Sequence, residues 1–237
     1  MAIEKKLMSN WYVRDTRRPT LTPHRDFRHP LRVNRSERTR MWFQSNVTRT
    51  AHPCHSANEY LWLLLLDITP EVETYQSQVF SMTYVMDDAE HSYTPDTDVL
   101  LKSGRRVVVE VKPTEEVTDP SFAKRRPNID TAARAIGAHF LIITDDYLNA
   151  EPRKSNVWNI HQHRHYIPPE DIAYRLGRQF ERRDAIPLEE LLQLAADPVL
   201  MGCYIRALIY QRYLTFDFNF QFGPETLVSL AQMGGRK

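Results

Sequence analysis

Three charged residues in the segment YTPDTDVLLKSGRRVVVEVKP (residues 93–113) have the types and spacing of a site for phosphodiester chemistry. Glu110 and Lys112 are two residues apart near the end of a very apolar predicted strand, so both side chains point to the same face of it. Asp96 lies on the preceding arm of the same predicted hairpin, which brings its carboxylate beside Glu110. Two neighbouring carboxylates repel each other unless a cation lies between them. The segment therefore predicts a Mg²⁺ site, with Mn²⁺ as the alternative metal, because both ions prefer oxygen ligands.

A lysine next to such a metal site has a defined chemical role. Lys112 would orient the attacking water or stabilise the negative charge that develops on the phosphate during hydrolysis. The alternative is an ordinary surface strand, since such strands often carry Glu and Lys. Glu110 directly follows Val107–Val109, where a buried strand does not place an unpaired acid, and this favours metal-assisted phosphodiester hydrolysis.

The elements that must position these residues predict a mixed α/β fold, in which a sheet is flanked by helices. In chain order they are a helix at 56–67, a long strand at 72–86, the two strands of a hairpin at 98–101 and 105–111, a helix at 122–137 and a buried strand at 138–145. The first helix has Ser56 as a candidate N-cap and Glu59 three residues later, which completes a capping box. This local role is sufficient to explain Glu59.

Residues 169–237 predict a second, smaller domain, which follows a connector at 151–168. Its helical patterns occupy 170–183, 187–197 and 198–214. The segment LTFDFNFQF (214–222) then alternates apolar and polar residues, which predicts a half-buried strand. Three helices followed by a β element are typical of a winged helix, and a generic helical cap is the alternative.

Basic residues are concentrated in the first part of the chain. The 237 residues carry a formal net charge of +1, but residues 1–50 contain twelve Lys and Arg residues against four Asp and Glu residues. We interpret residues 1–40 as a basic arm that contacts a nucleic-acid backbone, because arginine matches the geometry of phosphate. A solubilising tail that binds nothing is the alternative.

Composition excludes several classes of protein. The longest apolar run, Leu61–Leu66, is too short to cross a bilayer, and the N-terminus lacks the apolar region of a signal peptide. Two cysteines cannot form a disulfide framework. We therefore expect a cytoplasmic protein that has no membrane partner.

Three segments together resemble the TnsA endonuclease family. They are YTPD…EVKP at the candidate site, SANEYLWLLLLDITPEVETYQSQ before it and AARAIGAHFLIITDDYL after it. TnsA proteins are restriction-like PD-(D/E)xK nucleases that belong to heteromeric cut-and-paste transposases. The likeness covers about residues 41–148, and the predicted winged helix is similar to the second domain of the family.

The resemblance implies a restriction-endonuclease-like domain at residues 41–150. In that domain Glu59, Asp96 and Glu110 hold Mg²⁺, and Lys112 completes the catalytic set. The implied reaction is cleavage of the 5′ ends of a transposon, which are the non-transferred strands. The implied partners are the transposon-end DNA, a DDE transposase (TnsB-like) that cuts and joins the 3′ ends, and an AAA+ ATPase (TnsC-like) that regulates both enzymes. The implied location is the bacterial cytoplasm, at the nucleoid when the enzyme acts.

Two other functional classes stay open. One is a restriction-like nuclease of repair or defence that acts alone. The other is a DNA-binding or assembly module with a degenerate nuclease core, although the intact Asp96, Glu110 and Lys112 argue against it. A DDE transposase and an AAA+ ATPase in neighbouring reading frames would favour the transposase subunit.

Some residues near the site have competing interpretations. Asp98 shares a strand face with Asp96 and is an alternative metal ligand. Lys124, Arg125 and Arg126 lie at the start of the helix after the hairpin. One interpretation is that they bind DNA phosphates, and the alternative is that they form a solvated helix turn.

The segment HQHRH (161–165) has histidines at alternate positions, so that on a strand all three would share one face and bind Zn²⁺. No cysteine lies nearby in the sequence. A polar connector or a DNA-facing strand is therefore the preferred interpretation.

Overall fold

A computed structural model of the chain describes residues 21–23, 41–78 and 80–231. Its strands are β1 (Leu21–Pro23), β2 (Met41–Gln44), β3 (Ala51–Cys54), β4 (Val72–Ser77), β5 (Phe80–Met86), β6 (Ala89–Tyr93), β7 (Thr97–Leu101), β8 (Arg106–Lys112), β9 (Ala138–Thr144), β10 (Ala185–Pro187), β11 (Leu214–Thr215) and β12 (Leu227–Leu230). Its helices are α1 (Ala57–Ile68), α2 (Thr114–Val117), α3 (Pro120–Ala135), α4 (Asp145–Asn149), α5 (Arg153–Gln162), α6 (Glu170–Gln179), α7 (Leu188–Leu192) and α8 (Pro198–Tyr210).

The predicted mixed α/β class is confirmed. The predicted basic arm at 1–40 lies outside the described residues, apart from β1.

The described residues form two compact units. The first contains His52–Glu59 and Glu73–Asp146, and it holds the residues of the predicted site. The second contains Phe43–Ala51, Tyr60–Val72 and the chain from Tyr147 onward. The domain boundaries proposed from the sequence stay a prediction. None of the described helices has the length and apolar character that crossing a membrane requires.

The candidate site lies on a four-stranded mixed sheet with the strand order β4-β7-β8-β9. β7 and β8 form the predicted antiparallel hairpin, in which Thr97 pairs with Val109. β8 and β9 are parallel and stay in register from Arg106 to Lys112. Parallel neighbours need a crossover connection, and the segment with α2 and α3 provides it.

A hydrophobic cluster holds α3 against β5, β8 and β9. Its members are Phe80, Met82, Tyr84, Val108, Phe122, Ile129, Ala132, Ala133, Ala138 and Phe140. α3 begins after the N-cap Asp119, whose side chain accepts hydrogen bonds from two backbone amides of the first turn. It ends before Gly137, which has the positive φ of 76° that is common just after a helix. The predicted helix at 122–137 is thus confirmed, at Pro120–Ala135.

The prediction of one long strand at 72–86 is wrong. The structure divides the segment into β4 and β5, which belong to different sheets. Between them Gln78 has a φ of 48°, a left-handed conformation that a strand does not contain. The backbone N–H of Gln78 donates to the carbonyl oxygen of Asp96 at 3.0 Å, which ties this turn to the segment before β7. Periodicity does not reveal the break because both halves have the composition of strands.

The second unit contains helices and a small antiparallel sheet of order β10-β12-β11. α5 lies inside the segment predicted as a connector. The predicted helices at 170–183 and 198–214 correspond to α6 and α8, and the one at 187–197 is shortened to α7. These elements do not establish a winged helix, which stays a prediction.

The alternating segment 214–222 is not the predicted strand beyond β11. Asn156 of α5, which is only 1% exposed, takes the place of a strand partner. Its side-chain NH₂ donates to the carbonyl oxygens of Phe218 and Phe220 at 3.0 and 2.8 Å. Its side-chain oxygen accepts from the amide of Phe222 at 3.2 Å. These bonds satisfy backbone groups that would otherwise need a neighbouring strand.

Asn156→Ala is expected to lower the free energy of unfolding by about 2 to 4 kcal/mol, because it leaves three backbone groups without their partners. Urea unfolding measures the change. Ser155→Ala is the matched control, since Ser155 is exposed on the same helix, and it should change stability by less than about 0.5 kcal/mol. Equal unfolding midpoints for Asn156→Ala and the wild type would contradict this role of Asn156.

Candidate active site

The β7–β8 hairpin places two carboxylates side by side. Thr97 pairs with Val109, so the preceding residue, Asp96, lies next to Glu110 across the hairpin. Oδ2 of Asp96 accepts a hydrogen bond from the backbone N–H of Val111 at 2.7 Å. The structure thus brings together the Asp and the Glu that the sequence singles out.

Lys112 is held beside Glu110 at the end of β8. Its Nζ lies 2.9 Å from Oε1 of Glu110 and 3.3 Å from Oε2 of Glu116. Burial lowers the pKa of Lys112, but the bonds to the two carboxylates outweigh burial, and the net pKa is raised. Lys112 therefore stays protonated at neutral pH and is suited to act as a cation, not as a base.

Glu110 is nearly buried, with 8% of its surface exposed. Its Oε2 is one of the few buried side-chain atoms of the described residues that have no hydrogen-bond partner. A buried polar atom without a partner is unfavourable, and in native proteins it often marks the place of an ion or a water. Oε2 of Glu110 is therefore available to a ligand.

The second carboxylate, that of Asp96, holds a proton at neutral pH in the metal-free protein. Burial raises the pKa of Asp96 to about 8, and the charges of Glu110 and Glu59 add to the shift. The amide of Val111 and the charge of Lys112 oppose the shift without cancelling it. A cation would relieve the repulsion between acids that lie this close together.

Glu59 forms the capping box that the sequence predicts. Oγ of Ser56 accepts from the amide of Glu59 at 3.1 Å and donates to Oε1 of Glu59 at 3.0 Å. Oε2 of Glu59 accepts from the amide of His55 at 2.9 Å. Both carboxylate oxygens are thus bonded at the start of α1, while the charge of Glu59 is close enough to raise the pKa of Asp96. Glu59 borders the site, and its role as a metal ligand stays a prediction.

Asp98, the alternative ligand, is held by an ion pair. Arg106 donates to both of its oxygens, from Nε at 2.8 Å and from Nη2 at 2.7 Å. A two-point pair of this kind fixes the orientation of the carboxylate. Because the oxygens of Asp98 are directed to Arg106, Asp96 is the better ligand of the two.

Asp96 and Glu110 are the carboxylates of the site that could hold a metal ion. Among the described residues, no group of three or more His, Cys, Asp or Glu side chains is arranged to hold a metal ion. Mg²⁺ nevertheless binds through one or two carboxylates when waters and substrate phosphates complete its shell. The unsatisfied Oε2 of Glu110 and the adjacent carboxylate of Asp96 meet that requirement, so these residues fit Mg²⁺ or Mn²⁺.

The histidines of residues 161–165 do not share a strand face. His161 belongs to the last turn of α5, and His163 and His165 follow in a turn. Burial and the charge of Arg164 lower the pKa of His161 to about 4. His161 is therefore neutral at pH 7, and it packs against two aromatic rings. Zinc binding by His161, His163 and His165 depended on a strand that places all three on one face, and these residues do not form a strand.

The three basic residues at the start of α3 occupy different environments. Lys124 pairs with Asp87 on the surface, with its Nζ 2.6 Å from Oδ2. Arg126 is exposed. The guanidinium of Arg125 lies over the ring of Phe122 at 5.2 Å, and its Nε is buried without a hydrogen-bond partner. Arg125 is thus the one of the three that is directed towards the interior.

A cleft of about 360 Å³ opens between the end of β8, α2 and the start of α3. Its basic lining residues are Lys112 and Arg125, which lie over the ring of Phe122 at 5.4 and 5.2 Å. Three acidic side chains from α2 and the N-cap of α3 also line the cleft. A phosphate that enters would meet the two cations, and the acids restrict where it can lie.

Sequence reasoning missed three residues around the site. Phe122 and Glu116 contact Lys112, and Tyr93 has a buried hydroxyl beside Glu110. Phe122 has the pattern of an ordinary core residue and Glu116 that of a polar turn, so nothing in the sequence distinguishes them. For Tyr93 the sequence offers one signal, its position at the start of the YTPD segment.

In the metal-free protein, Asp96→Asn is expected to change how stability depends on pH. The folded protein holds a proton on Asp96 between about pH 4 and about 8 and the unfolded chain does not, so wild-type stability falls as the pH rises through this interval. The slope is at most about 1.4 kcal/mol per pH unit. Asparagine removes this contribution and makes the variant the more stable protein above about pH 8. Urea unfolding in EDTA at several pH values measures the difference, and parallel curves for the two proteins would contradict the raised pKa.

The family of this chain is not shown by comparison with known proteins. No protein-family model matches the sequence, and no curated protein matches it. The resemblance to TnsA proteins therefore stays a prediction, and a functional proposal rests on the geometry of Asp96, Glu110 and Lys112.

Proposed function

We propose that this protein is a metal-dependent DNA endonuclease, the subunit of a heteromeric transposase that cuts the 5′ ends of the transposon, the non-transferred strands. One observation carries the proposal: Asp96 and Glu110 lie side by side, and Lys112 is held 2.9 Å from Glu110 at the same strand end. Two acids and a lysine in this arrangement are suited to metal-assisted hydrolysis of a phosphodiester. The resemblance to TnsA proteins adds the transposon as the substrate.

The residues of the site have separate roles in this proposal. Asp96 and Glu110 would hold Mg²⁺ or Mn²⁺, and Glu59 would reach the ion directly or through a water. A metal ion bound there would supply a positive charge to polarise the phosphate and to lower the pKa of a bound water. The protonated Lys112 stabilises the negative charge that develops on the phosphate. Arg125, which lines the cleft with Lys112, binds a phosphate of the DNA backbone.

The finer parts of the proposal come from the resemblance. Residues 41–150 would have a restriction-endonuclease-like fold, residues 169–237 would form a winged helix, and the basic arm at 1–40 would contact DNA. The partners would be a DDE transposase and an AAA+ ATPase in the bacterial cytoplasm. A stand-alone nuclease of repair or defence is the alternative enzyme. The intact arrangement of two acids and a lysine disfavours a module without catalysis.

Asp96→Asn and Lys112→Ala are each expected to slow DNA cleavage about 100-fold or more, because each removes a group that acts on the reacting phosphate. The assay is single-turnover cleavage of a duplex that carries a transposon end, with Mg²⁺, the transposase and the ATPase present. Asp98→Asn is the matched control, since it alters a neighbouring aspartate whose oxygens are bound by Arg106, and it should cleave at close to the wild-type rate.

The same assay distinguishes the alternatives. Cleavage that requires both partner proteins supports a transposase subunit, and cleavage by the purified protein alone supports a stand-alone nuclease. Wild-type rates in both Asp96→Asn and Lys112→Ala would refute the active site. Unchanged cleavage in EDTA would refute the metal dependence.

Arg125→Gln is expected to weaken DNA binding about tenfold and to reduce the salt dependence of binding by about one phosphate contact, because Arg125 is the basic residue of α3 that lines the cleft. Lys124→Gln and Arg126→Gln are the matched controls, since Lys124 is neutralised by Asp87 and Arg126 is exposed. Fluorescence anisotropy with a duplex end, in an Asp96→Asn background that does not cleave, measures all three. Equal losses in the three variants would place the contact on the outer surface of the helix instead of in the cleft.

A further inference from the structure

Buried polar side-chain atoms without hydrogen-bond partners are concentrated at the candidate active site. In the part of the chain that the structure describes, these atoms are the hydroxyl of Tyr93, Oε2 of Glu110 and Nε of Arg125. The phenol of Tyr93 is close enough to Glu110, Asp96 and Arg125 for their charges to act on it. Buried groups of this kind are rare in native proteins and call for a specific explanation.

The fold places the hydroxyl of Tyr93 on the sheet face that carries Glu110. Tyr93 is the last residue of β6, and its ring meets the ring of Phe140 edge-on at 5.8 Å. Phe140 on β9 pairs with Val108 on β8. Val108 is two residues before Glu110 on the same strand, so the side chains of Phe140, Val108 and Glu110 share a face.

The packing of the ring does not explain the hydroxyl. A buried hydroxyl without a hydrogen bond is unfavourable, and phenylalanine would fill the same space without that cost. A phenol has an ordinary pKa of about 10, so the group is a neutral hydrogen-bond donor at pH 7. The carboxylate of Glu110, which acts more strongly on the hydroxyl than Asp96 does, is its chemical complement: Oε1 is engaged by Lys112, and Oε2 has no other partner.

We propose that Tyr93 is a positioning residue whose hydroxyl donates to Oε2 of Glu110 and fixes the orientation in which this carboxylate accepts a divalent cation. The inference rests on the proposed function, because it assigns a role at the same site. With Lys112 on one oxygen and Tyr93 on the other, the carboxylate is held from two sides, and its remaining lone pairs would be available to an ion. Without the hydroxyl, a single flexible lysine would hold Glu110.

The test compares Tyr93→Phe with Tyr84→Phe in the full chain. Tyr84 is a buried tyrosine of the same hydrophobic cluster, but its ring stacks on His91 at 5.4 Å. Electron paramagnetic resonance of free Mn²⁺ measures metal affinity, and thermal unfolding in EDTA measures metal-free stability. Tyr93→Phe should bind Mn²⁺ about tenfold more weakly, as expected when a group that orients a metal ligand is lost. Its melting temperature in EDTA should stay close to that of the wild type, and Tyr84→Phe should bind Mn²⁺ like the wild type.

A kinetic measurement supports the comparison. The Mn²⁺ concentration that gives half-maximal DNA cleavage should rise in Tyr93→Phe about as much as the affinity falls, with a smaller effect on the rate at saturating Mn²⁺. Wild-type Mn²⁺ affinity in Tyr93→Phe would overturn the inference and leave the proposed function intact. A large fall of the melting temperature in EDTA together with weaker binding would also overturn it, because the hydroxyl would then stabilise the fold and not only the orientation of Glu110. A wild-type protein that neither binds Mn²⁺ nor cleaves DNA would refute the proposed function, and the inference with it.

Discussion

Two acids that share a buried part of one hairpin are the constraint on which the rest of the first unit depends. Asp96 and Glu110 repel each other, and burial strengthens the repulsion because water does not screen it. The backbone pairing of β7 with β8 keeps the two side chains together. Lys112, the amide of Val111 and a proton on Asp96 reduce the repulsion in the metal-free state. Oε2 of Glu110 has only the nearby hydroxyl of Tyr93 as a complement, and a cation would complete the arrangement.

The strand order also explains why a cleft with two cations lies beside the acids. Because β8 and β9 are parallel, the chain must cross between them, and the crossover brings the start of α3 to the end of β8 that carries Lys112. Phe122 enters the core there, with 1% of its surface exposed. Its ring contacts both Lys112 and Arg125, so a single apolar side chain positions two cations at the mouth of the cleft.

Local sequence patterns predict the hairpin, the capping box and α3, because each depends on residues that are close together in the chain. They fail where distant residues decide the conformation. The side chain of Asn156 makes three hydrogen bonds to the backbone of the alternating segment 214–222, in place of a neighbouring strand. The spacing of residues along the sequence does not indicate these bonds. The pair of Asp98 with Arg106 requires the hairpin register, and the location of the Tyr93 hydroxyl requires packing across two sheets. The acids and the lysine were accessible from sequence because one hairpin contains all three.

The turn at Gln78 has a consequence for the mutations that the protein tolerates. The backbone amide of Gln78 donates to the carbonyl oxygen of Asp96, and the side-chain nitrogen of Gln78 lies 3.2 Å from Nδ1 of His55. The backbone amide of His55 in turn donates to the carboxylate of Glu59. Gln78, the last residue of the segment SANEYLWLLLLDITPEVETYQSQ, thus connects the segments that carry Glu59 and Asp96. Its left-handed backbone costs about 1 to 2 kcal/mol for a residue with a side chain, most for β-branched residues and least for glycine or asparagine. Substitutions at position 78 are therefore expected to be limited by backbone geometry, even though no chemistry is assigned to the residue.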